Sequence, residues 1–141
     1  MFSAVLCRVK DSPFIIDAIE IESIEQVTKI SPILGMPSFI PGVMQNKNSL
    51  LTMIDLEQVL YGTVMNINSS SKAVVFNNSN KKYGVLITEA LGFNEFDEDQ
   101  VGETDEALFY LQKVTSQSNE DENLRLMNLE KLMSYLAKFT S

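Results

Sequence analysis

Apolar residues fall in short runs separated by polar, turn-forming clusters along most of the chain, and they recur at helical spacing most clearly at the C-terminal end. Phe2 to Val9 and Phe14 to Ala18 are apolar runs broken by Lys10-Asp11-Ser12-Pro13, which predicts a hairpin at the N-terminus. From Ile19 two periods overlap. Ile19 and Ile21 alternate with Glu20 and Glu22 as in a strand, while Ile21, Ile24 and Val27 repeat every three residues as in a helix. Phe39 to Met44 and Leu50 to Ile54 predict a second hairpin closed by Gln45, Asn46, Lys47, Asn48 and Ser49, with Asn46 or Asn48 suited to a positive φ. Asp55 then caps a helix of one or two turns, its carboxylate facing the free amide of Gln58 or its neighbour, and Gly62 stops it.

Asn66-Ile67-Asn68-Ser69-Ser70-Ser71 reads as a linker. After it, Lys72 to Phe76 and Lys81 to Thr88 predict a third hairpin around Asn77-Asn78-Ser79-Asn80. Ser116 to Asn123 is a polar loop between the last two predicted strands. Leu129, Leu132, Met133 and Leu136 then fall at i, i+3, i+4 and i+7, one apolar stripe of a core-facing helix.

The hairpin-helix pattern occurs twice. Phe39-Ile40-Pro41-Gly42-Val43 corresponds to Tyr110-Leu111-Gln112-Lys113-Val114 at an offset of 71 residues. Met53 to Leu60 corresponds to Leu126 to Met133 at an offset of 73, so the second tip is two residues longer and Asn128 stands where Asp55 caps. Self-similarity at this distance predicts two equivalent lobes.

Composition narrows the functional classes. A chain of 141 residues with 45% hydrophobic content suits one globular domain, or two small lobes sharing a core. The net charge of −8 argues against nucleic-acid binding, which needs clustered Lys and Arg. No apolar run reaches the length of a membrane helix and no basic-apolar leader opens the chain, so a soluble intracellular protein is expected. The single Cys7 excludes an internal disulfide framework and reads as a small core residue.

Catalytic chemistry finds little support. There is no His, hence no common triad, and the six glycines are dispersed rather than gathered in a phosphate loop. From Tyr83 to Gln112 there are eight Asp and Glu residues and no Lys or Arg. Within that stretch Asp97-Glu98-Asp99-Gln100-Val101-Gly102-Glu103 has the start of a calcium loop, but Val101 and Leu108 stand where oxygen ligands are required. It reads as a solvated acidic loop, and no metal or other cofactor is expected.

Ile30 to Val43 (ISPILGMPSFIPGV), followed by Ile54-Asp55-Leu56, resembles the signature region of the CheW family of bacterial chemotaxis adaptors. Val74-Val75-Phe76, Tyr83-Gly84-Val85-Leu86-Ile87 and Leu126 to Tyr135 resemble that family's second half, in the same order, so the resemblance covers nearly the whole chain. The chain departs from the family where Gln45-Asn46-Lys47-Asn48 replaces the usual Asn-x-Arg-Gly turn and Thr88-Glu89 replaces Val-Asp, which marks a divergent member.

The resemblance implies a mostly β fold of two small SH3-like β-barrel lobes packed together, with short helices and a C-terminal helix. The expected lobes span roughly 14–65 and 72–128 within one domain of 1–141, completed by an N-terminal strand at 2–9 and the helix at 129–139. It further implies a non-catalytic cytoplasmic scaffold that couples the cytoplasmic tip of a chemoreceptor to the regulatory domain of a CheA-type histidine kinase. Receptor helices would bind between the lobes and the kinase at barrel ends. By position, Lys47, Ile21 and Val74 match places associated with receptor contact; from the residues alone, Ile21 and Val74 read equally well as core. The alternative is a diverged adaptor serving another signalling or motility pathway without kinase contact.

Overall fold

The computed structural model describes residues 1–104, 108–115 and 124–139; the predicted loop at 116–123 lies outside the described residues. The first unit of the chain runs β1 (Phe2–Val9), β2 (Ser12–Asp17), a 3₁₀ turn (Ala18–Glu20), β3 (Ser23–Gln26), β4 (Ile30–Ser31), β5 (Gly42–Asn46), β6 (Ser49–Asp55) and helix α1 (Leu56–Tyr61). The second unit repeats the order of strands and helix, with its 3₁₀ turn one strand later: β7 (Lys72–Asn78), β8 (Lys81–Ile87), β9 (Glu89–Phe96), a 3₁₀ turn (Glu98–Gln100), β10 (Val101–Thr104), β11 (Leu111–Val114), β12 (Arg125–Met127) and α2 (Leu129–Leu136). A final 3₁₀ turn covers Ala137–Phe139. The ambiguous stretch after Ile19 thus resolves into a 3₁₀ turn followed by a strand.

The strands form two curled six-stranded sheets. One has the order β3-β7-β8-β6-β5-β4 and the other β9-β1-β2-β12-β11-β10. Each position in one sheet is held in the other by the strand six places away in the chain. Even the parallel pairing recurs, β6 with β8 and β12 with β2. The two units have therefore exchanged their first hairpins. β1–β2 completes the sheet of the second unit, and β7–β8 completes the sheet of the first. The expected barrel bounds of 14–65 and 72–128 do not follow these sheets, because residues 12–17 belong with the C-terminal strands and residues 72–87 with β3 to β6.

The hairpin-helix units match in detail. Ile40 N–H donates to Pro37 O and Leu111 N–H to Leu108 O, both at 2.9 Å. Asp55 N–H donates to Phe39 O at 2.8 Å, as Asn128 N–H does to Tyr110 O at 2.9 Å. The first strand begins at Gly42 rather than Phe39, because Pro41 has no N–H for the ladder. Between the Asp55–Phe39 bond and the Gly42–Met53 pair, one side advances three residues and the other two, so the first unit has an extra residue near Pro41. The second unit has none there, since Leu111 faces Met127 directly. Gly42 has φ +149°, and a Cβ on it would lie 2.0 Å from the Ser31 carbonyl oxygen, so no other residue fits.

Local signals explain the elements. Asp55 Oδ1 accepts from Gln58 N–H at 3.2 Å, and Gly62, left-handed at φ +75°, ends α1. Asn128 Oδ1 accepts from Lys131 N–H at 2.9 Å at the start of α2. The left-handed residue of the β5–β6 tip is Lys47 (φ 55°), not a neighbouring Asn, because Asn46 pairs with Ser49 and leaves Lys47-Asn48 as a two-residue turn. Ser79 and Asn80, at φ 52° and 66°, form the equivalent tip of β7–β8, as a type I′ turn requires.

The acidic stretch is not only loop: Glu89–Phe96 is a strand paired to β1. The sequence does not announce it because it is an edge strand exposed over most of its length, with apolar residues on both faces, Leu91 and Phe93 outward and Ala90 and Phe96 against the cores. Asp97 to Gln100 closes on itself, Asp97 N–H donating to Gln100 Oε1 at 2.8 Å.

One core cluster joins both sheets, from Cys7, Val9, Phe14 and Ile16 through Met53, Val74 and Leu86 to Leu129, Leu132 and Leu136. A smaller one fills the second sheet around Ala4, Ile15, Val114 and Leu124. β2 is buried on both faces, Phe14 and Ile16 toward the first cluster and Ile15 toward the second. Burial pushes the Cys7 thiol up to about 12, which makes it an inert core residue.

Candidate functional site

The candidate residues lie on or under one end of the first sheet. Lys47 is exposed at the tip of β5–β6, its carbonyl accepting from Gln45 Nε2 at 2.9 Å. Ile21 is half-buried where the 3₁₀ turn passes into β3, packed against the joint core. Val74 is wholly buried in β7, facing Ile24 on one side and Val85 on the other. Its side chain offers nothing to a partner; the core reading holds. A near-continuous apolar strand buried on both faces cannot be distinguished from a contact strand by sequence.

Between Ile21 and Lys47 stands Glu22, which sequence reasoning passed over. Its backbone N–H donates to Val75 O at 2.7 Å, tying the start of β3 to β7. Its carboxylate accepts from Asn77 Nδ2 at 3.1 Å and from Lys82 Nζ at 3.0 Å. The Lys82 hydrogen bond, then the Asn77 one, hold the Glu22 carboxyl below the usual range, with smaller contributions from the charges of Lys82 and Lys47. Lys81 and Lys82 also border a shallow depression with Ser49, the exposed Leu50, Thr52 and Asn80. This end of the first sheet is therefore basic in a chain that is acidic overall. A run of two lysines at a hairpin tip was the available signal, but its convergence on Lys47 depends on the parallel pairing of β6 with β8.

Beside Ile21 a groove of about 570 Å³ separates the two halves of the molecule. Its walls are Ile19 to Glu22, Phe76 to Ser79, and Leu129 and Glu130 at the start of α2. Ile19 stands 88% exposed on its rim. Across it Glu20 accepts from the Leu129 N–H at 3.5 Å. Burial raises the Glu20 carboxyl above the usual range, opposed by backbone N–H groups of Leu129 and Glu130 and reinforced by the charges of Asp17 and Glu130.

A second groove, of about 320 Å³, runs between α2 and the first sheet, lined by Met36, Phe39, Ile54, Tyr83, Met133 and Leu136 among others. A separate apolar surface lies on the open edge of the second sheet, where Leu91 and Phe93 of β9 are 49% and 67% exposed. Among the described residues no group of three or more His, Cys, Asp or Glu is placed to hold a metal ion, and no helix is long and apolar enough to cross a membrane. What the arrangement provides is grooved, partly apolar surface with lysines at one end.

Residues 3–137 match the family described as the CheW-like domain. No curated protein matches the sequence. Among solved structures the chain is similar to the scaffolding protein TtCheW from Thermoanaerobacter tengcongensis. The TM-score is 0.81 at 14% identity, over 93% of this chain and 86% of that one, a likeness of fold.

Proposed function

We propose, from the premise that this chain belongs to the CheW-like domain family, that it is a non-catalytic cytoplasmic adaptor coupling a chemoreceptor to a CheA-type histidine kinase. The receptor's helical cytoplasmic tip docks at the end of the first sheet, with Lys47 meeting a carboxylate and Ile21 and the adjoining groove meeting apolar side chains. The observation that carries this reading is the exposed Lys47 beside Lys82 and the half-buried Ile21, an arrangement of charge and apolar surface suited to an acidic amphipathic helix. The kinase domain docks on the exposed apolar edge at Leu91 and Phe93, a separate surface that leaves room for both partners.

Calorimetric titration of the receptor's cytoplasmic tip into this protein and its Lys47→Glu variant tests the reading. Lys47→Glu weakens binding by about 1–3 kcal/mol for a partly desolvated charge contact, while Lys47→Arg retains or improves it through its planar fork. Equal affinity of wild type and Lys47→Glu, both folded, would make Lys47 an ordinary solubilising surface lysine. Binding of receptor but not kinase identifies an adaptor of another pathway.

A further inference from the structure

We infer that Glu22 limits the affinity of the docking face for carboxylate-bearing partners by occupying, from within the chain, Lys82, which a partner's carboxylate on Lys47 would otherwise also engage. The inference rests on receptor docking at Lys47 and deepens that reading.

Glu22 is not a loosely tethered surface charge. Its N–H is fixed to Val75 O at 2.7 Å, and its two carboxylate oxygens are divided between Asn77 of β7 and Lys82 of β8. These strands are joined by the tight Ser79-Asn80 turn, and Asn77 and Lys82 are direct cross-strand partners, so the two donors stand side by side for the carboxylate. Lys47 reaches the same carboxylate electrostatically from the β5–β6 tip. Glu22 thus pairs with Lys82 and feels the charge of Lys47 from farther along the sheet end, and it immediately follows Ile21, which lines the groove.

The partner that fits is a helix carrying a carboxylate next to an apolar side chain. For the carboxylate to engage both Lys47 and Lys82, the Glu22–Lys82 pair must open, and the two carboxylates repel at close range. The pair is partly exposed, so opening it is cheap, on the order of up to fivefold in affinity. Only a ligand that brings its own carboxylate to Lys82 meets that cost, and the new pair offsets it. Neutral apolar helices find Lys82 already satisfied and gain nothing from it. A carboxylate-bearing helix gains a pair in exchange for one.

Calorimetry with the receptor's cytoplasmic tip as probe, on wild type, Glu22→Gln, Lys82→Gln and the double variant, reads this directly. Glu22→Gln keeps a side-chain acceptor for Asn77 but frees Lys82, and tightens binding by about threefold to fivefold. The gain disappears in the Lys82→Gln background and shrinks at high salt. Unchanged or weaker binding by Glu22→Gln, or an equal gain in the Lys82→Gln background, overturns the role of Glu22 while leaving docking intact. Failure of wild type to bind the probe overturns the docking reading and Glu22 with it.

Discussion

Phe139 meets Phe39 edge-on, with ring centroids 6.4 Å apart, and Tyr135 meets Tyr110 at 5.1 Å. Phe39 and Tyr110 occupy the same position in the two units, 71 residues apart. The C-terminal helix and the turn after it therefore touch both copies of one position, the nearer through α2 and the farther through the 3₁₀ turn. Phe139→Ala removes the Phe39 contact and the one Phe139 makes with Tyr135, and leaves Tyr135 on Tyr110. It lowers stability by about 0.5–1.5 kcal/mol, the usual worth of an aromatic pair beyond its area. Tyr135→Ala, which also loses Phe109 and Phe139 as neighbours, costs more. Urea unfolding of both variants checks the order; equal losses would show that Phe139 contributes through burial alone.

Asp55 does more than cap a helix. One carboxylate oxygen holds Gln58 N–H at 3.2 Å and the other holds Met65 N–H at 2.9 Å, in a site only 3% exposed. Asp55→Ala therefore loses the cap, about 0.5–2 kcal/mol, and strands a buried amide, about 1–3 kcal/mol more. Asp55→Asn keeps the cap but turns a second donor toward Met65 N–H. It falls between wild type and Asp55→Ala on a denaturant titration. Partner binding by folded protein is unaffected in both.

Gly42 and Gly62 make a contrasting pair. A Cβ at Gly62 meets nothing within 4 Å, so Gly62→Ala costs only the left-handed backbone, about 1–2 kcal/mol. At Gly42 the added carbon strikes the Ser31 carbonyl, and relief requires β4 to leave the sheet. Gly42→Ala costs more than about 3 kcal/mol or fails to fold. Comparable melting of the two variants would refute the close approach of β4.

Glu20 makes stability depend on pH in a direction opposite to a salt-bridged acid. Its folded carboxyl titrates above the ordinary range, chiefly through burial. Folded protein therefore binds this proton more tightly than unfolded protein. The stabilising contribution is complete below the ordinary glutamate pKa and is lost as pH rises through the raised folded value. Glu20→Gln retains a carbonyl to accept from Leu129 N–H and is the more stable protein at neutral pH. Its advantage disappears in acid. Unfolding curves of both proteins across that range check the sign; a Glu20→Gln protein less stable at neutral pH would mean that the charged oxygen on the helix N-terminus outweighs burial.

How much could be read from sequence follows the distance over which each feature is decided. The hairpin-helix units were legible because their signals are local, Asp55 to Gln58 and the stripe Leu129, Leu132, Met133 and Leu136. The mostly β class and the two-lobed plan followed from them and from the family resemblance. The exchange of hairpins was not legible, since nothing in Phe14-Ile15-Ile16 states that its parallel neighbour is Arg125-Leu126 rather than a strand nearby. Glu22 escaped for the same reason, its partner Lys82 lying 60 residues away. Val74 escaped because identical apolar patterns serve a buried strand and a contact strand.

The exchanged hairpins also order events during synthesis. The first sheet can close once residue 87 has emerged, drawing β7–β8 back onto β3 to β6. The β1–β2 hairpin leaves the ribosome before the other strands of the fold, yet its parallel neighbour β12 ends at Met127. The first hairpin of the fold thus waits for its last strand, carrying Phe14, Ile15 and Ile16 unburied on at least one face in the interval. A nascent chain stalled between those points should be a substrate for holding chaperones, and its release from them should coincide with the arrival of β12.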